Sequence, residues 1–195
     1  DSLYNVAVNS EKMEGYILSL GATVADGGIY SIKWNKNNLE TNRLASGNVD
    51  SLVYYEQIHS VTFIKNASDG EAELYFSDFS GNVRCLAEDC GVTYSSGTQT
   101  YQSSGVLSGD VQTVMYFKNI KTGKTTVDTS GTLFIGEKQI DTNVSSGYME
   151  APITDSSFSI VYYLKKTDNN MELYAYDGTE SVLIDTSVQG IVQLN

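Results

Sequence analysis

The chain repeats itself. "AELYFSDFSGNVRCLAEDCGV" at residues 72–92 returns in degenerate form as "MELYAYDGTESVLIDTSV" at residues 171–188. A repeat of this length constrains the fold more than any composition figure. One short β-rich unit cannot bury its own faces, so copies must stack on one another.

Three anchors recur in each copy. The first is an aromatic, a large apolar residue and Lys: "TFIKN" with Phe63, "MYFKN" with Tyr116 and "YYLKK" with Tyr163, with a weaker version, "YILSL", from Tyr16. The second is an aliphatic–aromatic pair: Ile29-Tyr30, Leu74-Tyr75, Leu133-Phe134 and Leu173-Tyr174. Between the two lie turn-forming stretches, "ATVADGG", "ASDGEAE" and "TDNNME", and in the third copy the longer "IKTGKTTVDTSGT". These read as hairpins. The third anchor is a Val after a polar turn: Val49 after "ASGN", Val92 after "EDCG", Val144 after "DTN" and Val188 after "DTS". Each unit is thus four short strands in about 45 residues, the size of a propeller blade. Alternation in "LYAYDG" and "LYFSDF" suits strands with one buried face.

The expected fold is all-β, a propeller-like array of about four four-stranded antiparallel units. An irregular β-sandwich is the alternative. Residues 1–195 form a single repeat domain, with approximate units 1–48, 49–91, 92–143 and 144–187. Residues 188–195 ("VQGIVQLN") are expected as a closing or orphan strand, because Val188, Ile191, Val192 and Leu194 are too apolar for a tail. Leu74, Leu133 and Leu173 are expected as buried equivalents, with Tyr75, Phe134 and Tyr174 on the opposite faces of their strands.

The pattern of an aromatic strand, a turn, "LYxYDG" and an aliphatic strand ending in Asp-x-x-Val resembles propeller-like repeats of bacterial secreted and surface-anchored proteins, most of unknown function. It lacks the Gly-His and Trp-Asp marks of one propeller class and the Gly-rich signature of the kelch class. The resemblance implies an extracytoplasmic location, secreted or at the cell surface, with any anchor outside this sequence. A start at Asp1 without Met fits a processed or engineered boundary.

Composition narrows the function classes. With a net charge of −12 and no Lys/Arg cluster, the chain repels phosphate backbones, so nucleic acid is not an expected partner. No apolar run approaches the roughly 20 residues of a membrane-spanning helix. Cys85 and Cys90 in "CLAEDC" can close a small disulfide if the chain turns there, or stand as two thiols in a reducing compartment. Two thiolates with the sole histidine, His59, far away do not make a zinc site, and no metal or cofactor is expected.

Catalytic signatures are sparse. A Ser–His–Asp triad could use only His59, which the context "YYEQIHSVTF" places between two strands, and no Gly-x-Ser-x-Gly elbow occurs. "NIKTGKTT" has Lys118 where a phosphate-binding loop needs its upstream Gly, and reads as a hairpin. The acidic turns do not match a calcium-binding loop. Asn66-Ala-Ser and Asn143-Val-Ser match the glycan acceptor pattern, which matters only in a eukaryotic secretory host.

Tyrosines are the remaining candidates. Tyr54, Tyr55, Tyr101, Tyr148 and Tyr162, with Tyr94 and Tyr163, could stack on sugars. In the pairs Tyr54-Tyr55 and Tyr162-Tyr163 one ring should face the core and the other outward. The reading is a non-enzymatic binding or scaffold module with a protein or glycan partner. The alternative is a carbohydrate-active enzyme or glycan-binding propeller, for which two carboxylates should converge in a deep pocket.

Overall fold

The computed structural model describes residues 2–78, 80–95, 100–122, 129–147, 150–168 and 170–191. Its secondary structure is β throughout. Two single-turn 3-10 segments, Val24–Asp26 and Glu56–Ile58, are the only helical turns among the described residues. The chain divides into two compact units, residues 1–103 and 104–195.

The first unit holds two sheets. Strands β1 (Ser2–Asn9), β2 (Glu14–Leu20), β3 (Gly28–Asn35) and β4 (Asn38–Ser46) form a four-stranded antiparallel meander. Strands β5 (Val49–Tyr55), β6 (Ser60–Ser68), β7 (Glu71–Asp78) and β8 (Val83–Ser95) form the next, and β9 (Thr100–Ser103) pairs onto the end of β8. The second unit repeats the plan twice. It has β10 (Val106–Leu107), β11 (Val114–Thr122), β12 (Thr129–Ile135) and β13 (Lys138–Ser145), then β14 (Ile153–Thr154), β15 (Val161–Lys166), β16 (Met171–Tyr176) and β17 (Ser181–Asp185). A single bridge, Val144 to Lys165, joins these last two meanders. Four-stranded antiparallel meanders therefore recur four times, each with the strand order of a propeller blade.

The anchors are cross-strand partners. Phe63 lies opposite Tyr75, Tyr116 opposite Phe134 and Tyr163 opposite Tyr174. All three ring pairs stack, with centroids 5.6, 5.5 and 5.6 Å apart. The Lys two residues after each first aromatic lies over the second ring: Lys65 at 5.4 Å from Tyr75, Lys118 at 4.5 Å from Phe134 and Lys165 at 5.6 Å from Tyr174. Aromatic pairs across strands and cations over rings are each worth about 0.5–1 kcal/mol. In the first sheet Ile17 takes the place opposite Tyr30, and the cation comes from β4, where Arg43 lies 5.6 Å from that ring.

Turn chemistry explains the registers. Asp69 (φ 50°) and Gly70 (φ 85°) close the β6–β7 hairpin with the two left-handed residues of a type I′ turn. Asn66 (φ 55°) and Asn119 (φ 52°) follow the anchor lysines, and each sits at a register shift. The "KN" of two repeats is therefore a bulge device, since Asn tolerates the left-handed conformation.

Two cores lie between consecutive sheets. In the first unit, Tyr16, Leu18 and Ile29 pack with Val49, Leu52, Val61 and Phe63. In the second, Met115, Phe117, Leu133 and Val144 pack with Phe158, Val161, Tyr163 and Tyr176. In both, the later sheet contributes its first anchor aromatic, Phe63 or Tyr163, and the earlier sheet contributes aliphatic residues with one aromatic, Tyr16 or Phe117.

Several expectations need correction. Leu74 and Leu133 are buried, but Leu173 is half-buried, because its flanking strand β17 is itself exposed. The expected turn at "EDCG" is instead strand, and Val92 lies inside the long β8, which passes from pairing with β7 to pairing with β9. Val144 likewise continues β13. The same strand undoes the disulfide. Cys85 is exposed and Cys90 buried, and they stand five positions apart on β8 with no bond between them. At about 3.3 Å per residue their Cα atoms lie well beyond disulfide reach. Val188 donates its N–H to the Met171 carbonyl, but 188–191 form no strand, and 192–195 lie outside the described residues.

Candidate functional site

The first unit carries an open cleft of about 410 Å3. It is built where chain segments approach closely at the ends of β2, β3 and β5. Gly47 (φ 95°) turns the chain from β4 into β5, and its N–H donates to the Gly27 carbonyl at 3.1 Å. A Cβ at Gly27 would meet the Gly47 carbonyl oxygen at 2.6 Å, so this approach requires glycine. The opposite rim, Gly21 to Thr23, is pinned by Asp26, whose Oδ2 accepts the Thr23 N–H at 3.2 Å and the Thr23 hydroxyl at 2.8 Å.

Asp50 and Tyr101 supply the distinctive side chains of this cleft. Asp50 is buried within β5, and backbone N–H groups satisfy both carboxylate oxygens. Oδ1 accepts from Ser51 at 2.7 Å and Oδ2 from Tyr101 at 3.0 Å. Ser51 (φ 54°) sits at the register shift between Asp50 and Val53, and its Oγ accepts the Ser103 N–H at 3.3 Å. These bonds hold β9 against β5 and so fix the Tyr101 ring at the cleft wall. Tyr94, its cross-strand partner on β8, is exposed and extends the aromatic surface, with ring centroids 5.1 Å apart and planes tilted by 53°. The cleft can thus offer an aromatic face, backbone polar groups and one anchored carboxylate.

The other tyrosine candidates lie elsewhere. Tyr54 packs at 6.1 Å from Tyr16, and its hydroxyl lies 3.4 Å from both Asn9 Nδ2 and His59 Nδ1. His59 (φ 49°) ends the 3-10 turn between β5 and β6, so it occupies the expected interstrand position. Tyr55 accepts a bond from the Thr62 hydroxyl at 3.4 Å. Tyr54 and Tyr55 are both half-buried, unlike the expected in-and-out pair, because the strand gives way to the 3-10 turn at Glu56. Tyr162 and Tyr163 do alternate, the first exposed and the second buried. Tyr148 lies outside the described residues. Of the four candidates among the described residues, Tyr101 alone lines the cleft.

Asp50 and the glycine rim were not singled out from sequence. The available signal was an acid directly after the anchor Val49, inside a strand that should bury its face. Among the described residues, no three His, Cys, Asp or Glu side chains gather into a metal-binding group, and no helix is long and apolar enough to cross a membrane.

No family model and no curated protein matches the chain. Solved structures similar to it include an acylaminoacyl peptidase from Pyrococcus horikoshii, at 8% identity and a TM-score of 0.47 over 90% of this chain and 30% of that one. TolB from Acinetobacter baumannii is similar at 12% identity and a TM-score of 0.30, over 86% of this chain and 49% of that one. A chain of a nidogen/laminin complex is similar at 12% identity and a TM-score of 0.37, over 91% of this chain and 64% of that one. This chain spans less than two thirds of the length of each. The fold assignment rests on the strand registers, and no activity is carried over from these likenesses.

Proposed function

We propose that this chain is a non-enzymatic binding or scaffold module of an extracytoplasmic bacterial surface protein, and that the cleft beside Tyr101 is its recognition site for a glycan or protein partner. The observation that carries the reading is the Tyr94–Tyr101 pair, with one ring exposed and the other set into the cleft wall by the Asp50 bonds. Exposed aromatic surface beside a concave, partly polar site is the usual make-up of a binding pocket. The carboxylate in the cleft already accepts two backbone N–H groups, so it acts as a positioning residue in this reading.

The test is a glycan array and a hydrolase panel on the purified protein, repeated with Tyr94→Ala and Tyr101→Ala. Binding lost in both variants at an unchanged thermal midpoint supports the reading. Turnover of an arrayed glycan would replace it with the carbohydrate-active enzyme reading. Binding untouched by either substitution would remove the cleft as the site.

A further inference from the structure

The side chains that line the cleft differ in what the protein already asks of them. Asp50 is engaged by its own chain, since both carboxylate oxygens accept backbone N–H groups. Asn48 is not. It stands just before β5, beside Val49, which is buried in the core between the first two sheets. Its backbone carbonyl accepts the Asn66 N–H at 2.8 Å, but its carboxamide, half-buried at the cleft wall, has no hydrogen-bond partner among the described residues. The Tyr101 hydroxyl has none either, although Asp50 holds that residue's backbone and Tyr94 meets its ring. Polar groups at a half-enclosed wall that no protein atom satisfies are met by water or by a ligand. An Asn carboxamide both donates and accepts, and so does a Tyr hydroxyl.

Charge narrows what such a ligand can be. Asp50 is the one charged side chain in the lining, and the exposed Asp26 adds a second acid beside the rim. Arg43 is the cation at this rim. Its Nη2 donates to the Gly27 carbonyl at 2.8 Å, its guanidinium lies over Tyr30, and it is not part of the lining. With a net charge of −12 on the whole chain, carboxylated, sulfated or phosphorylated ligands are repelled. The apolar lining is also shallow. Leu20 and Val49 belong to the core beneath, which leaves no deep pocket for the hydrophobic anchor of a protein partner. An uncharged sugar ring matches what remains, an apolar ring face for Tyr101 and hydroxyls that donate to and accept from Asn48.

Resting on the reading of this cleft as a recognition site, we propose that its ligand is a neutral pyranose unit of a glycan. The ring lies against Tyr101, Asn48 hydrogen-bonds its hydroxyls, and Asp50 positions Tyr101 while its charge turns acidic sugars away.

Amide NMR shifts of the full chain test this, in titrations with three sets of trisaccharides. The neutral set comprises the trimers of glucose, mannose, galactose and N-acetylglucosamine, the acidic probe is trigalacturonate, and the basic probe is the trimer of glucosamine. At least one neutral trimer should shift the amides of Thr23, Gly47, Asn48 and Tyr101, and trigalacturonate should not. Asn48→Ala should weaken that binding about fivefold or more, the worth of one or two hydrogen bonds. Its thermal midpoint should not change, because the carboxamide holds nothing in the protein. Cleft shifts with trigalacturonate or triglucosamine but with no neutral trimer overturn the proposal and leave the cleft standing as a recognition site. Neutral binding that Asn48→Ala leaves intact also overturns it. Cleft amides that respond to no sugar overturn it too, and the recognition site then stands or falls on whether Tyr94→Ala and Tyr101→Ala abolish binding of a protein partner.

Discussion

The third and last sheets share the anchor residues, the Ile-Asp-Thr-x-Val stretch and the strand plan, yet their equivalent leucines have different fates. Leu133 is fully buried, and Leu173 is half-exposed. Both follow a hairpin, both precede the anchor aromatic, and both lie opposite an Asp on the next strand, Asp141 and Asp185. The difference is the neighbour. Leu133 lies beneath the Tyr163–Tyr174 face, whereas the side chains flanking Leu173 on β17 face outward. The motif therefore sets strand, turn and register, and burial comes from whatever stacks on it. This is the nearest-neighbour energetics of a repeat protein.

The largest test of that comparison is truncation. Leu133→Ala should cost about 2–5 kcal/mol, as for a filled core site, and Leu173→Ala about 1 kcal/mol, in proportion to its partial burial. Urea midpoints of the two variants measure this, and equal losses would erase the distinction. Next in size is the polar contact at Asp141. Asp141→Asn should cost about 1–3 kcal/mol, because it weakens a partly buried arrangement with Lys165 and the Tyr163 hydroxyl. Asp185→Asn should stay within about 0.5 kcal/mol, as expected of an exposed surface position.

The smallest effect is a pH difference between the second and third sheets. Tyr75 donates to Glu73 at 2.7 Å, while Thr132 and Phe134 stand at the matching positions. Its hydrogen bond to Glu73, reinforced by burial, pushes the Tyr75 hydroxyl up to about 12. The bonds from Asn66 and Tyr75 hold Glu73 below the usual carboxylate range. A raised folded value stabilises the protonated form. Tyr75's contribution is therefore complete below its ordinary value near 10 and is lost as pH rises through about 12. Glu73's contribution runs the other way, present above the ordinary carboxylate range and lost as acid protonates it. Tyr75→Phe should flatten the alkaline limb of the stability–pH curve. If that limb is unchanged, the pair contributes nothing to stability.

Much of the architecture was legible in the sequence because it is written locally. The aromatics, the lysines after them and the Asp-Gly turn fix cross-strand partners within one unit. What was not legible depends on distant chain. "EDCG" has turn composition but lies in β8, because that strand must reach β9 as well as β7. Leu173 carries the right residue type for burial, but residue type does not specify its cover. The cleft was the least visible feature. Its carboxylate binds a backbone N–H from Tyr101, about fifty residues on, and only Tyr101 among its residues belonged to a readable class of candidates.

Hydrogen exchange read by mass spectrometry tests the central claim most directly. It compares β13 with β17, the equivalent strands of the third and last sheets. If stacking by a neighbour sets stability, amides of β13 near Val144 should exchange only through large-scale opening, while those of β17 exchange much faster by local fraying. Equal protection of the two strands would contradict the account, because their shared motif would then carry the stability without a neighbour.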